Sequence, residues 1–310
     1  MGNKCLVIGD LNIDLIFSKL SRFPEMGSEI LAGKSFLDIG GSGGIFSAVL
    51  SQLGVGTYIF SEIGNDYFGR FLIERLEEFG VGTDLIKVSE NKNTGITVTA
   101  SYPEDKYQIS ELAIINSMDF VKPDKDIIEN IKHIHFTSYY MMKNLIPKYK
   151  EIIKESKKIN NSITFSLDPN DDPDDKWNSN LLTVLKKIDI LFLNEKEALK
   201  ISGSADIKGA VEILNDLVDT VIIKLGSKGS LTYFSGKIIE MKAIETDFFD
   251  STGAGDNFDA GFIFGYLKGL DFKSSLKIAN ICGGKSAGSI GGVGKKERFL
   301  QLKKEINLII

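Results

Sequence analysis

Short apolar runs that recur along the chain place the strongest constraint on its fold. They lie at residues 4–9, 131–136, 163–167, 188–193 and 221–225, and their composition predicts buried or half-buried β-strands. Segments with helical periodicity, such as 70–79 and 148–158, lie between them. This alternation predicts an α/β fold in which a mainly parallel sheet is covered by helices on both faces.

Length, charge and cysteine content narrow the class of protein. The 310 residues suffice for a single domain spanning 1–310. With 37 basic and 42 acidic residues the formal net charge is −5, so no nucleic-acid or membrane surface is indicated. Cys5 and Cys282 are expected to be free buried thiols. The N-terminal apolar run is too short for a signal peptide or membrane span, so a cytoplasmic protein is expected.

A glycine-rich turn at 250–256, Asp-Ser-Thr-Gly-Ala-Gly-Asp, precedes a helix of largely apolar residues and is the strongest candidate for chemistry. Gly253, Ala254 and Gly255 let several backbone N–H groups point one way, which creates an anion site at the helix N-terminus. Asp256 lies in the first turn of that helix. One interpretation is an ordinary turn with a first-turn acid. The other is an anion hole for a phosphoryl group, with Asp256 as the base for an attacking hydroxyl.

This stretch resembles the C-terminal signature of the PfkB, or ribokinase-like, carbohydrate kinases. Six fixed positions of this kind arise by chance on the order of once in 10⁵ chains of this length. Weaker resemblances lie at 9–14, 40–54, 194–197 and 224–229, so the likeness covers nearly the whole chain. It implies a three-layer ribokinase-like α/β fold with a small β lid built from segments about 15–37 and 94–112. It also implies ATP and Mg²⁺ as cofactors and K⁺ as a further candidate.

Two N-terminal motifs are the candidates for substrate binding. Asn12 and Asp14 follow the first strand at its carboxyl end, where they either bond a ligand's hydroxyls or satisfy a turn of their own. The family resemblance favours Asp14 as a sugar contact. It also places a glycine signature against the substrate, here Gly40, Gly41 and Gly44. The family usually carries an Asn near the start of the following helix, where this chain has Ile45 or Phe46. That departure leaves the identity of the sugar open.

Candidate nucleotide and metal residues lie in the C-terminal half. Asn194 and Glu197 have the spacing of a helix cap with its reciprocal acid. The resemblance gives the same pair a role near Mg²⁺, through water, and the phosphates. A simple turn is one interpretation of residues 224–229, but the segment resembles the family's nucleotide-binding loop. The positions that the resemblance assigns to the nucleotide are Lys224, Gly226, Ser227, Gly229 and, near the adenine, Asn280. It assigns a monovalent-cation site to Asp250 and Thr252 with residues 288–294.

Two further patterns indicate what the chain does not bind. The acidic run 168–177 is not a calcium loop, because Pro173 occupies the position that requires Gly. Asp172 stands where the family often has an Arg, which argues against an acid-sugar substrate. His133 and His135 share one face of a strand without neighbouring metal ligands, so a metal site there is not expected.

The sequence therefore predicts Mg·ATP-dependent phosphorylation of a hydroxyl group, primary by expectation, on a sugar or sugar-like substrate. Asp256 is the expected base, and the N–H groups of 253–256 are the expected anion hole. A nucleoside kinase of the same fold is the first alternative, and a catalytically idle nucleotide- or sugar-binding regulator is the second. A dinucleotide-dependent oxidoreductase is disfavoured because the G-x-G-x-x-G fingerprint is missing. Family analogy alone suggests a homodimer formed through the lid.

Overall fold

The computed structural model describes residues 3–102, 106–119, 125–177, 180–234, 236–246 and 251–310. Within these ranges the strands are β1 Lys4–Ile8, β2 Asn12–Ser18, β3 Lys34–Gly40, β4 Gly56–Gly64, β5 Ile86–Ser89, β6 Ile96–Ser101, β7 Lys106–Glu111, β8 His133–Thr137, β9 Thr164–Asp168, β10 Ile190–Asn194, β11 Thr220–Lys224, β12 Ser230–Phe234 and β13 Lys237–Met241. The helices are α1 Ser42–Leu53, α2 Tyr67–Glu78, α3 Ala113–Asn116, α4 Lys125–Glu129, α5 Tyr149–Ile159, α6 Leu181–Leu185, α7 Glu195–Ser202, α8 Ile207–Asn215, α9 Ala254–Leu267, α10 Phe272–Ala287 and α11 Glu297–Ile306. None of these helices has the length and apolar character needed to cross a bilayer.

A large, mainly parallel sheet forms the centre of the molecule. In the described residues its strand order is β13-β12-β11-β10-β9-β8-β1-β4-β5. Neighbouring strands from β11 to β5 pair in parallel, whereas β12 and β13 are added antiparallel at one edge. The predicted mainly parallel sheet is confirmed.

Helices cover both faces of this sheet because alternate strand residues point to opposite sides. On β1, Leu6 and Ile8 pack into a core that includes α5 to α8. Cys5 and Val7 pack into a second core that includes α1, α2 and α9 to α11. Both faces of the central strands are buried, so β1, β10 and β11 are mostly apolar, while His133, His135 and Ser166 of β8 and β9 satisfy one another by hydrogen bonds. This arrangement confirms the predicted three-layer fold.

A second, four-stranded sheet has the order β3-β2-β6-β7. Its strands come from the two segments that the sequence assigned to a lid, although β2 begins at Asn12 and β3 extends to Gly40. β2 pairs antiparallel with β3 and parallel with β6, and β6 pairs antiparallel with β7. Since β2 follows directly from β1, and β3 leads directly into α1, this sheet is joined to the main one at the site described below.

Parallel strands bring their carboxyl ends to one edge of the sheet, which is where α/β proteins bind ligands. The residues at or just after the ends of β1, β8, β9, β10 and β11 are polar. They are Asp10, Ser138, Asp168, Asn194 and Lys224. The start of α9 lies at the same edge, since Gly253 and Gly255 share a cavity with these side chains.

Substitution of Phe192 tests the packing that holds α9 to the sheet. Its ring is fully buried and makes edge contacts with His135 at 6.1 Å and with Phe262 of α9 at 5.7 Å between centroids. Phe192→Ala is expected to lower the free energy of unfolding by about 3–5 kcal/mol through lost contacts and a cavity. Leu182→Ala, at a side chain 47% exposed, is the control and should change it by less than about 0.5 kcal/mol. Urea unfolding measures both, and equal effects would contradict this packing.

Candidate active site at the carboxyl edge of the sheet

Two adjoining cavities open at the carboxyl edge of the main sheet. The larger, of about 670 Å³, lies between the main sheet and the second sheet. The smaller, of about 460 Å³, lies between the turn after β11, α9 and α10. Lys224, Gly226, Ser251 and Gly255 line both cavities, so they mark the junction. A group that passes from one cavity to the other passes the N-terminus of α9.

The N-terminus of α9 has the geometry of the predicted anion site. Gly253 is the N-cap, with φ of 70° in the left-handed region that glycine adopts without strain. A Cβ on Gly253 would lie 2.5 Å from the Cα of Gly292, so no larger residue fits there. The Ala254 N–H donates to the Ser251 carbonyl at 3.2 Å, whereas the N–H groups of Gly255 and Asp256, two residues that line the larger cavity, have no partner within the helix. Together with the helix dipole they favour a bound negative charge.

Asp256 lies in the first turn of α9 and lines the larger cavity. Burial raises the pKa of its carboxyl group from 3.8 to about 7, and the nearby Asp168 adds to the shift. Lys224 and a hydrogen bond with Ser42 oppose the shift without cancelling it. A carboxylate with a pKa near neutrality can take a proton from a hydroxyl group more readily than an ordinary Asp can.

Asp10, which the sequence analysis did not single out, organises the floor of the larger cavity. Its carboxylate accepts hydrogen bonds from the backbone N–H groups of Ser42 and Gly43, both at 3.2 Å, at the start of α1. It also accepts from the hydroxyl groups of Thr137 at 3.1 Å and Ser138 at 2.7 Å, after β8. Its position directly after the first strand was the available signal, but its partners lie far away along the chain.

A polar chain connects this floor to Asp256. Asn170 donates to the hydroxyl oxygens of Ser42 at 2.7 Å and Ser138 at 2.9 Å. Asn170 and Ser138 both have left-handed backbone conformations, with φ of 56° and 53°. Such conformations in residues other than glycine cluster at functional sites. The sequence analysis did not single out Ser42, Ser138 or Asn170.

Lys224 has its ammonium group between two buried acids. Its Nζ lies 2.5 Å from Asp168 and 3.2 Å from Asp259. Burial raises the pKa of Asp259 well above its usual range. Burial also acts on Asp168, but Lys224 together with hydrogen bonds from Asp259, Lys224 and the Asn170 N–H outweighs it and lowers the pKa of that acid. Of the two acids, Asp259 is therefore the one that holds a proton more readily. A Cβ on Gly255 would lie 3.3 Å from Nζ, so the ammonium group also lies beside the anion site.

Asn194 and Glu197 form the reciprocal cap that their spacing predicted at the start of α7. The Asn194 side chain accepts from the Glu197 N–H at 2.9 Å, and Glu197 accepts from the Asn194 N–H at 2.8 Å. Both residues line the larger cavity beside Asp171. Burial, then Asp168, raises the pKa of Glu197 from 4.5 to about 7, so the site favours a cation next to it.

The predicted substrate residues divide into those in the cavity wall and those behind it. Asn12, Asp14 and Gly41 line the larger cavity. Asn12 donates to Thr97 of the second sheet at 3.2 Å, which joins the two halves of the wall. A Cβ on Gly40 would collide with Asp14, and one on Gly44 with Leu11 and Ile39. These two glycines therefore allow close packing behind the wall.

Ile45 and Phe46 are the two candidates for the position where the family usually has an Asn, and only one of them faces the larger cavity. Ile45 lines the larger cavity and contacts Gly253 and Gly292. Phe46 is fully buried on the other side of α1, stacked on His135 at 3.8 Å between ring centroids. The cavity wall is therefore apolar at this point.

The predicted nucleotide residues of the C-terminal half line the smaller cavity, except Asn194, which lines the larger one. The walls of the smaller cavity include Gly226, Ser227, Gly229 and Asn280, with Phe258 and Ile244 as apolar surfaces. The amide of Asn280 donates to Ser230 at 2.8 Å and to the Leu276 carbonyl at 3.0 Å, so its orientation is fixed.

The remaining predicted positions lie at the margins of the site. Thr252 lines the larger cavity, whereas Asp250 lies outside the described residues. Asp172, at the family's Arg position, is buried and accepts from the N–H groups of 174, 176 and 177 at 2.7–3.0 Å. It therefore stabilises its own turn. His133 and His135 are buried on β8 and share hydrogen bonds with Ser166, as core residues do.

Comparison with known proteins identifies the family to which this chain belongs. A model described as pfkB family carbohydrate kinase matches residues 3–297. The chain belongs to the pfkB family of carbohydrate kinases. Members of this family are carbohydrate or nucleoside kinases, so the chain is a phosphotransferase of that kind.

Relatives of this pfkB-family chain differ in what they act on. A nucleoside kinase of Methanothermobacter thermautotrophicus is 29% identical over 89% of this chain and 86% of its own. The fold matches that of Arabidopsis thaliana ribokinase, solved with ribose and ATP, at a TM-score of 0.80 and 24% identity over 98% of this chain and 99% of that one. It also matches an Escherichia coli protein of the ribokinase II type, solved with ATP and Mg²⁺, at a TM-score of 0.85 and 24% identity over 99% of both chains.

The raised pKa of Asp256 predicts a pH-dependent cost in stability. The folded protein holds the Asp256 proton more tightly than the unfolded chain does, so ionisation between pH 3.8 and about 7 destabilises the fold. Asp256→Asn removes this cost and should raise the melting temperature on the order of 5 °C at pH 8 and by less at pH 5. Thermal unfolding at both pH values measures the difference. A shift that is equal at pH 5 and pH 8 would contradict the raised pKa.

Proposed function

We propose that this protein transfers the γ-phosphoryl group of ATP to a hydroxyl group, a primary one by expectation, of a sugar or sugar-like substrate. One observation carries the proposal: the N-terminus of α9 lies at the junction of two adjoining cavities, with Asp256 in the wall of the larger one. Phosphoryl transfer needs this arrangement, because donor and acceptor must meet in line at a site that neutralises charge.

In this proposal ATP occupies the smaller cavity and the acceptor the larger. Asn280 and the turn at Gly226–Gly229 hold the nucleotide, with its phosphates directed at the start of α9. Asn12 and Asp14 bond the acceptor's hydroxyl groups, while Lys224 stands between the two cavities. The proposal agrees with the bound ribose and ATP of the Arabidopsis ribokinase structure.

The transfer step follows from the chemistry of the junction. The acceptor oxygen forms a bond to the γ-phosphorus as the bond to the bridging oxygen of ADP breaks, and Asp256 takes the hydroxyl proton. The N–H groups of Gly255 and Asp256 bond the oxygens of the phosphoryl group as their charge redistributes, whereas that of Ala254 donates to the Ser251 carbonyl. Since the pKa of Asp256 is about 7, the carboxylate is available at neutral pH and still basic enough to accept the proton.

The residues around Glu197 fit a magnesium ion that is held mainly by the nucleotide. The described residues contain no group of three His, Cys, Asp or Glu side chains arranged to hold a metal directly. Mg²⁺ often keeps several waters and uses one or two carboxylates together with substrate phosphates. Glu197 with Asn194, both bound to each other, would orient such waters. Bound there, the ion would neutralise charge on the phosphates. We also propose that a K⁺ ion binds near Thr252 and residues 288–294.

The second sheet acts as a lid in this proposal. Thr97 of β6, with Gln108 and Ser110 of β7, turns hydroxyl and amide groups toward the larger cavity. Thr97 and Ser110 are hydrogen-bonded at 2.9 Å, which keeps both groups on the cavity side. Closure over the acceptor would exclude water and limit ATP hydrolysis without an acceptor.

The lining of the larger cavity favours a sugar over a nucleoside. Its described residues are mostly carboxylates, amides, hydroxyls and glycines, with Ile45, Leu112, Met141 and Pro173 as the apolar members. No aromatic ring occurs among these described residues, whereas a nucleobase is usually held by stacking on one. A nucleoside acceptor remains the alternative, since Ile45 replaces the usual Asn. A screen of ADP release over pentoses, hexoses, polyols and nucleosides distinguishes them.

Asp256→Asn is expected to lower kcat by about 10²–10⁴-fold, because the amide cannot take the proton. Binding of ATP, measured by calorimetry, should be largely retained, since the nucleotide walls are unchanged. Asp271→Asn is the matched control. Asp271 caps α10 by accepting from Ser274 at 2.7 Å, and Asn caps equally well.

Turnover of Asp256→Asn close to that of the wild type would refute the role of the base. ATP binding without transfer to any acceptor in the wild type would instead favour the idle regulator.

The free buried cysteines Cys5 and Cys282, together with the use of ATP, support our proposal of a cytoplasmic location.

We further propose that two copies of the chain associate through the lid. Apolar side chains on its outer side are exposed: Phe23, Met26, Leu31, Tyr107 and Ile109. Tyr107 and Ile109 lie on β7 and alternate with Gln108 and Ser110, which face the cavity. Contiguous exposed apolar groups of this kind mark interaction surfaces.

Ile109→Glu should convert such a dimer to a monomer, because burying a charge at an apolar contact is unfavourable. Light scattering should give twice the chain mass of 34.2 kDa for the wild type and 34.2 kDa for this variant. Leu300→Glu, at an exposed position on α11, is the control and should leave the mass unchanged. A monomeric wild type at micromolar concentration would contradict the proposal.

A further inference from the structure

A fully buried amide, that of Asn257, adjoins Asp256 on α9. Its Nδ2 donates to the Gly253 carbonyl at 2.7 Å and to the Gly292 carbonyl at 2.8 Å. The first of these residues is the N-cap of α9, and the second belongs to the loop 288–294 after α10. One side chain therefore joins the start of the catalytic helix to a distant loop.

Arg298 of α11 holds Asn257 and the same loop. Its Nη2 donates to the Asn257 side-chain oxygen, and its Nη1 donates to the Val293 carbonyl at 3.2 Å and to the Ser289 hydroxyl at 3.2 Å. Because the side-chain oxygen of Asn257 accepts a hydrogen bond from Arg298, both N–H groups of that amide are directed to the carbonyls of Gly253 and Gly292. The orientation of Asn257 is thus determined by Arg298.

The loop has a second anchor on the side of the lid. The Asp38 carboxylate, near the end of β3, accepts from the Gly294 N–H at 2.8 Å. Arg75 of α2 donates to the Gly294 carbonyl at 3.3 Å. The loop is therefore held between a strand of the second sheet and the start of α9, and its position affects the anion site directly.

Close packing makes the position of Gly253 sensitive to this loop. A Cβ on Gly253 would lie 2.5 Å from the Cα of Gly292 and 3.2 Å from Ile45, so the peptide has loop on one side and cavity wall on the other. A shift of the Gly292 peptide would rotate the Gly253 peptide and turn the next N–H groups away from the phosphoryl group. A misplacement of about 1 Å can lower a rate by about 10²-fold.

We propose that Asn257, oriented by Arg298, is a positioning residue that aligns the N–H groups at the start of α9 for phosphoryl transfer. The inference rests on the kinase function proposed above. Asn257 touches neither cavity among the described lining residues, so it acts through Gly253 and Gly292. Its contribution therefore belongs to the transfer step and much less to the binding of ATP or acceptor.

The test uses the full-length protein with an acceptor found in the screen. Asn257→Ala removes the amide, and Asn257→Asp keeps the shape and the bond from Arg298 but cannot donate to the two carbonyls. Both should lower kcat by about 10–100-fold, while the KM values for ATP and acceptor change by less than about threefold. Arg298→Lys retains the charge without the guanidinium fork and should show an intermediate loss. Gln301→Ala, one turn further along α11, is the control.

A second readout separates alignment from loss of structure. Aluminium fluoride with MgADP and the acceptor mimics the phosphoryl group in transfer, so its inhibition constant should rise in parallel with the fall in kcat. Unfolded protein would lower the active fraction without changing that constant. The folded fraction at the assay temperature is measured from thermal unfolding.

Three results would overturn the inference. They are a kcat of both Asn257 variants within about twofold of the wild type, a rise in KM at constant kcat, and a loss fully explained by the unfolded fraction. A wild type that transfers no phosphoryl group in the screen would overturn the proposed function and this inference together. An active wild type with unaffected Asn257 variants would overturn this inference alone.

Discussion

Negative charge gathered at one edge of a buried sheet is the constraint on which the site depends. Asp10, Asp168, Glu197 and Asp256 all line one cavity, and Lys224 is the only cationic side chain among the described lining residues. Ionised carboxylates are costly to bury unless donors or cations compensate them. Each acid is compensated in a different way. This difference in compensation suits the acids to different roles.

Donors or a cation offset burial at two of these acids, but not fully at the other two. Asp10 accepts four hydrogen bonds, and Asp168 has the ammonium group of Lys224. Glu197 is part of a helix cap, yet burial still raises its pKa to about 7. Asp256 has the first turn of α9 and Ser42, yet burial still holds its pKa near 7. Of the two acids with a pKa near 7, Asp256 lies in the first turn of α9 beside the anion site, whereas Glu197 is hydrogen-bonded to Asn194.

The need for an accessible backbone explains why the turn before α9 consists of small residues. A helix N-terminus binds an anion only if the backbone is accessible and its first N–H groups are aligned. A side chain on Gly253 would collide with Gly292, one on Gly292 would collide with Ile45, and Asn257 joins the carbonyls of the two glycines. The anion site is thus part of a larger unit that includes α11 and reaches the lid through Asp38.

The sequence by itself determined the strands, the layers and the position of the reactive turn, because these depend on local periodicity and on the conformational freedom of glycine. It also determined the Asn194–Glu197 cap, whose two partners are three residues apart. Only the tertiary structure decided that Asp10 meets Ser138, that Lys224 lies between Asp168 and Asp259, and that Arg298 holds Asn257. These partners lie between 35 and 128 residues apart in sequence, so no local pattern encodes their contact. Likewise, only the packing of α1 decided that Ile45, and not Phe46, faces the larger cavity.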